Sequence, residues 1–322
     1  MRNTGLSLLR AFGILLAFAT AAAAQDYPTR PVRLIIPFPP GGSNDVVGRM
    51  IATQLGERLG KQVVVDNRGG AGGVLGTEVA ANSTPDGYTL LVISLAYAVN
   101  PALYKLKYDP SKAFAPVAML GSGPNVLTVH PSVPVSSVKE LIELAKQKPG
   151  ALNYASAGVG SFQHLGSELF KVMAGVDIVN VPFKGGGPAM IDVVGGHSQV
   201  LLSSLVQTMP HIRSGKLKAL GVGGSKRSAL LPEVPTIAEA GVPGYDMANW
   251  WGIVVPTGTP PAIIDKLAKE IGVVLSSPDT QKQFASEGAE VLQKTPAELG
   301  AFIEAELGKW HKVVKEAGIK KD

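Results

Sequence analysis

The stretch Leu34-Ile-Ile-Pro-Phe-Pro-Pro-Gly-Gly-Ser-Asn-Asp45 restricts the possible folds of this chain more than any other. Its apolar start reads as a buried strand. Prolines and glycines then end the strand and force a tight loop. Ser43 stands where a helix N-cap is expected, and Asp45 falls in the first turn, where a carboxylate meets the positive end of the helix dipole. Val47, Met50, Ile51, Leu55 and Leu59 then recur at helical spacing. A strand, a glycine loop and a helix start, in that order, aim backbone N–H groups at whatever lies before the loop. Gly41, Gly42 and Ser43 are therefore a candidate anion site that needs no cationic side chain. A plain βα turn has the same pattern, and on these residues alone the two readings carry similar weight.

The pattern continues along the chain. Gln62 to Asp66 reads as a strand, Asn67 to Gly73 as a second glycine loop, Val74 to Ala81 as a helix and Tyr88 to Ile93 as a third strand. Such alternation implies a parallel sheet with helices on its faces. Ligands in such sheets collect at the C-terminal ends of the strands. The Pro37–Asp45 loop lies there, as does the segment after Ile93, with Ser94, Tyr97 and Asn100 as candidate lining.

Met119 to Asn125 reads as a glycine-rich break between regions, followed by a strand at Val126–Val129 and a helix from Val138 to Lys146 capped by Ser136 or Ser137. Leu152 to Leu165 repeats the opening logic: a short strand, a small-residue loop, then a helix with Ser161 as its natural N-cap. Ser156, Gly158, Gly160 and Ser161 form a second, hydroxyl-lined cradle. Two such cradles facing each other would grip a carboxylate between two domains. Further strands are expected near Val179, at Val200–Ser204, Leu217–Val222 and Ala248–Val255. Helices are expected at Ala189–Val194, Ala262–Ser276 and Pro296–Glu316.

Several function classes fall away. The chain has no cysteine, which excludes disulfides, thiolate metal sites and thiol nucleophiles. Five scattered histidines without an H-E-x-x-H argue against a metal. Neither a complete dinucleotide fingerprint nor a phosphate-binding P-loop is present, so no cofactor is expected. Charges are interspersed and aromatics few, which argues against nucleic acid. Ser161 and His164 invite a hydrolase reading, but three-residue spacing at a helix start suits a cap better than a nucleophile and its base. Lys184 is as suited to pairing with Asp192 as with a ligand, and Trp250 and Trp251 read first as core.

Arg2 and Arg10 precede a short apolar run that ends in small residues at Ala22 and Ala24. This reads as a secretory signal peptide cut after Ala24, so the mature protein is expected to be exported, into the periplasm if the family resemblance given below holds. The run is short for a membrane span.

Taken together, several ordered motifs resemble the substrate-binding receptors of tripartite tricarboxylate transporters, the Bug family. They are Tyr27-Pro-Thr-Arg-Pro31, Pro37-Phe-Pro-Pro-Gly-Gly42 with Asp45, Asn67-Arg-Gly-Gly-Ala-Gly-Gly73, Pro85-Asp-Gly-Tyr-Thr-Leu90, Asn153-Tyr-Ala-Ser-Ala-Gly158, Pro182-Phe-Lys-Gly185, Pro232-Glu-Val-Pro-Thr236 and Pro256-Thr-Gly-Thr-Pro260. The resemblance implies an α/β, two-domain periplasmic-binding-protein fold, a type II-like flytrap with mixed, mostly parallel sheets. Residues 26–123 and 223–322 would form the first domain and 124–222 the second. It implies a receptor rather than an enzyme, a monomer that holds a small organic carboxylate and hands it to membrane permease subunits. A periplasmic sensor with the same ligand chemistry is the rival reading. Implied ligand contacts are Gly41, Gly42, Ser43, Ser94, Tyr97, Ser156, Gly160, Ser161, His164, Ser203 and Ser204. Many relatives carry Asp or Asn where this chain has Ser203-Ser204, a position that faces the far end of the ligand. That departure argues against a cationic end and for a neutral or hydroxylated one.

Overall fold

The computed structural model describes residues 27–316 and 318–319. The signal-peptide expectation falls outside them. In the first part of the chain, β1 (Val32–Ile36), β2 (Val63–Asn67) and β3 (Thr89–Ser94) alternate with α1 (Ser43–Leu59), α2 (Val74–Ala81) and α3 (Leu95–Leu103). The long strand β4 (Phe114–Val129) follows, and then α4 (Val138–Gln147), β5 (Asn153–Ser156), α5 (Phe162–Ala174), β6 (Val179–Pro182), α6 (Gly186–Val194), β7 (Val200–Ser204), α7 (Leu205–Arg213) and β8 (Lys218–Val222). The last elements are β9 (Ala248–Pro256), α8 (Pro261–Ser276), α9 (Pro278–Ser286), β10 (Glu290–Val291) and α10 (Pro296–Glu316).

The strands run in the order β2-β1-β3-β9-β4-β7-β5-β6, with β8 and β10 also paired to β4. Strands that alternate with helices pair parallel: β1 with β2 and β3, and β5 with β6 and β7. Each antiparallel pairing involves β4 or β9. The sheet is therefore mixed, and the parallel strands of each half end at a shared edge.

The expected break at Met119–Asn125 is not a break. It lies inside β4, whose first part pairs with β9 and whose last residues, from Asn125, pair with β7. Cross-strand pairing overrides the weak intrinsic preference of glycine for strands. Gly121 is needed there, because a Cβ would lie 2.5 Å from the Glu290 carbonyl oxygen and 2.8 Å from Phe284. Residues 223–247, expected to belong with the first domain, pack instead against the second half of β4 and its neighbours. Leu231 and Val234 share a core with Val126, Leu205 and Met209. The Tyr245 hydroxyl donates to Gly166 O at 3.1 Å and accepts from Asn125 Nδ2 at 2.8 Å.

Helices α3, α7 and α9 carry weak sequence signals. Helix α3 buries Leu95 to Asn100 without interruption, so no amphipathic stripe marks it, and Pro210 interrupts α7. Trp250 and Trp251 are core, as expected, and each indole N–H finds an acceptor, Glu306 Oε2 at 3.0 Å and Asn44 Oδ1 at 2.9 Å.

Candidate functional site

Five helices, α1, α3, α5, α6 and α7, start at the C-terminal ends of β1, β3, β5, β6 and β7. Their first turns meet around one cleft lined by Gly42, Ser43, Asn44, Ser94, Ala96, Ser161, Phe162, Gln163, Gly186 and Gln207, with Phe38, Ala157 and Asn249 between them. None of these side chains is charged. The first N–H groups of a helix lack an acceptor within it, and the dipole makes that end positive. The cleft therefore offers donors from both halves of the chain without a cation.

The opening loop is held by Asp45. Its carboxylate accepts from Gly41 N at 3.0 Å, Arg49 Nε at 2.9 Å and Asn67 Nδ2 at 2.9 Å. Burial pushes this carboxyl upward in pKa, but the bonds from Arg49, Gly41 and Asn67 outweigh it and hold the group below the ordinary aspartate value. Asp45 thus braces its own loop. Ser43 is not the N-cap: Gly42 occupies that position in extended conformation, and Ser43 is the first helical residue. In the second half the cap is as expected. Ser161 Oγ accepts from His164 N at 3.3 Å.

Gly42, Ser43, Ser94 and Ser161 line the cleft together. Gly41 is at the exposed rim, with its N–H committed to Asp45. Three other expected residues stand behind the lining. Ser156 Oγ donates to Asn180 Oδ1 at 2.8 Å. His164 is buried beneath the loop, and its Nδ1 accepts from Gly160 N at 3.4 Å, so the ring shapes the loop and Gly160 takes its left-handed φ of 79° there. Ser203 Oγ donates to Gln207 Oε1 at 3.2 Å. Ser204 is buried at the start of α7 and its hydroxyl has no partner among the described residues. Tyr97 points away. It packs against Tyr108 and Phe114, donates to the Pro110 carbonyl, and borders only a small neighbouring space of about 10 Å³. Lys184 is exposed, and Asp192 accepts from Ser198 N at 3.1 Å instead.

The sequence reading passed over Asn44, Gln163, Gln207 and Asn249. Asn44 and Gln163 occupy first-turn positions of helices already assigned to the site, which is a usable signal. Gln207 and Asn249 carry none, because α7 and the β3–β9 pairing bring them in.

The cleft is narrow, about 20 Å³, which is room for one water molecule. Its two sides touch through glycines. A Cβ on Gly41 would sit 3.6 Å from Gly187 Cα, and one on Gly42 would sit 3.8 Å from Gly186 Cα. A Cβ on Gly185 would overlap the Pro39 ring, and one on Gly187 would overlap the Pro40 carbonyl oxygen. A larger groove of about 520 Å³ lies elsewhere, against Pro124, Ala248 and Ala289. Among the described residues no helix begins there, so it lacks the converging donors that make the smaller space the candidate site.

This fold and this site define a solute-binding protein of the periplasmic-binding class. Comparison with known proteins agrees and goes further. The family model for the tripartite tricarboxylate transporter family receptor matches residues 47–319. The chain is 41% identical to protein BugT of Bordetella pertussis over 319 residues, covering 97% of this chain and 98% of that one. It superposes with a TM-score of 0.89 on an R. palustris protein solved with adipate, at 39% identity, covering 92% of this chain and 99% of that chain. The periplasmic binding protein BugD gives the same TM-score at 35% identity, covering 92% of this chain and 100% of that chain. The chain belongs to the tripartite tricarboxylate transporter receptor family, the family of the Bug proteins, whose members are solute-binding receptors and not enzymes.

Proposed function

We propose that this receptor is exported after cleavage behind Ala24, captures a small organic carboxylate between two α/β domains, and delivers it as a monomer to a tripartite tricarboxylate-type permease. The observation that carries the reading is the convergence of five helix N-termini on a buried cleft with no charged side chain in its lining. Such a site favours an anion at each dipole end by roughly 0.3–1 kcal/mol and holds no carboxylate that would pair with a cation. The relative solved with adipate adds support from outside the chain.

The two domains meet at the crossing strands. One comprises residues near 27–123 with the C-terminal part from β9 onward. The other comprises residues from near 124, and the packing of Leu231, Val234 and Tyr245 extends it to the start of β9. Opening is hinge bending where β4 and β9 cross between them. A cleft of about 20 Å³ must widen to admit even a short carboxylic acid.

A thermal-shift screen of the chain from Gln25 onward, against mono-, di- and hydroxycarboxylates with amines of equal size as controls, tests the binding half. A carboxylate at 100 times its dissociation constant adds about 2.7 kcal/mol and raises the melting temperature. Stabilisation by amines in place of carboxylates would refute the anion reading. Uptake of the bound acid by cells carrying the permease, with and without the receptor, tests delivery.

A further inference from the structure

The polar side chains of the cleft are locked in direction by partners that can act in only one way. An indole N–H can only donate, so Trp251 fixes Asn44 with Oδ1 turned toward it, at 2.9 Å. Asn44 Nδ2 then donates to Ser94 Oγ at 3.2 Å, which leaves the Ser94 hydroxyl proton free to point elsewhere. A backbone amide also only donates, and Leu95 N gives to Asn249 Oδ1 at 3.3 Å. The Asn249 NH₂ has no protein partner among the described residues, although the residue is 1% exposed. Ser161 Oγ accepts from His164 N, so its proton is free as well. These four side chains present donors to the cleft.

A second group of lining side chains is locked the other way. The Gly186 carbonyl can only accept, so Gln207 turns its Nε2 toward it, at 2.5 Å. Gln207 Oε1 is thereby fixed as an acceptor, taking the Ser203 hydroxyl at 3.2 Å and Gln163 Nε2 at 3.4 Å. Gln163 Nε2 also reaches Ser203 Oγ at 3.2 Å. Both protons of the Gln163 amide are engaged, and Gln163 Oε1 is left as an acceptor with no protein partner among the described residues. Gln163 is 6% exposed and lines the cleft.

From this polarity we infer that the ligand is a small carboxylate whose far end carries a hydrogen-bond donor, such as a hydroxyl or an amide N–H, and that Gln163 selects for it. The inference rests on the receptor reading above and sharpens it. A carboxylate at the far end would set its oxygens against Gln163 Oε1 with no proton between them. An acid ending in a methyl group would leave that acceptor dry and unpaired. Turning the amide over loses the bond to Gln207 and sets two amide oxygens 3.4 Å apart, which costs either ligand part of its affinity.

The test is calorimetric titration of the receptor, unfolded and refolded to strip any retained ligand, with chain-matched sets: 4-hydroxybutyrate, butyrate and succinate, and 6-hydroxyhexanoate, hexanoate and adipate. In at least one set the hydroxy acid should bind about tenfold or more tighter than both its partners. Gln163→Met, similar in size and without the acceptor, should abolish the advantage of hydroxyl over methyl. A dicarboxylate that binds as tightly as the hydroxy acid would overturn the inference and leave the receptor reading standing, as would an unchanged hydroxyl-to-methyl ratio in folded Gln163→Met. Failure of every carboxylate to bind would overturn both.

Discussion

Replacing Gly187 by alanine should move stability and affinity in opposite directions. Gly187 lies in the first turn of α6, outside the left-handed region that glycine alone tolerates. Alanine fits that backbone and is favoured over glycine in a helix by up to about 1 kcal/mol. Its Cβ, however, would overlap the Pro40 carbonyl oxygen across the cleft, and a backbone group cannot rotate aside as a side chain can. Overpacking of this kind costs about 1–3 kcal/mol and falls on the closed form alone. If ligand is held only when the cleft closes, the dissociation constant should rise about 5- to 150-fold. Thermal melts without ligand, where the cleft is free to stay open, should show an unchanged or higher midpoint. Titration calorimetry with the bound carboxylate supplies the affinity. An affinity equal to the parent's would refute the argument that glycine contact across the cleft is required for closure. A melting temperature that falls with the affinity would point to damage within one domain instead.

Ser161→Ala removes both a cap and a hydroxyl of the cleft, so stability should fall by about 0.5–2 kcal/mol and carboxylate affinity by about 1–3 kcal/mol. A loss confined to stability, read by urea titration beside calorimetry, would make Ser161 a cap and nothing more. Trp251→Phe preserves a buried ring but strands Asn44 Oδ1, which should cost about 1–3 kcal/mol in urea unfolding; a cost near zero would show that Asn44 turns to find another donor. Asp45 has a folded pKa below its unfolded value of 3.8, so its contribution is present above that value and is lost as the pH falls through the folded pKa. Asp45→Asn should therefore be less stable than the parent at neutral pH, with the gap closing below pH 3.8; a gap of constant size across that range would show that the carboxylate charge is not what holds the Gly41 loop.

The strands, helices and punctuation that build the two cradles are local features, and they are legible in the residues. The apolar run at Leu34–Ile36, the helical spacing from Val47 and the cap at Ser161 depend on periodicity and turn chemistry within a few positions. So do Gly42, Ser43, Ser94 and Ser161, each at the end of a strand, where an α/β sheet collects its ligands. The absence of cysteine and of nucleotide motifs removed whole classes of chemistry in the same local way.

Tertiary structure decided the rest, because it depends on partners distant in sequence. The glycines of Met119–Asn125 look like a break, yet β9 and β7 supply the hydrogen bonds that keep β4 continuous. Tyr97 directly follows the lining residue Ala96, but the turn of α3 carries it to Tyr108, Phe114 and the Pro110 carbonyl. Gln207 enters the cleft from a helix with a weak signal of its own and Asn249 from a strand that only its pairing aims there, and the direction of three of the four amides there is set by a one-way partner elsewhere in the chain: Trp251 for Asn44, Leu95 for Asn249 and Gly186 for Gln207. The sequence by itself determined that two donor-rich cradles exist. Which side chains face the space between them, and whether each offers a proton or a lone pair, was decided by packing and hydrogen bonds formed across the fold, which no local pattern encodes.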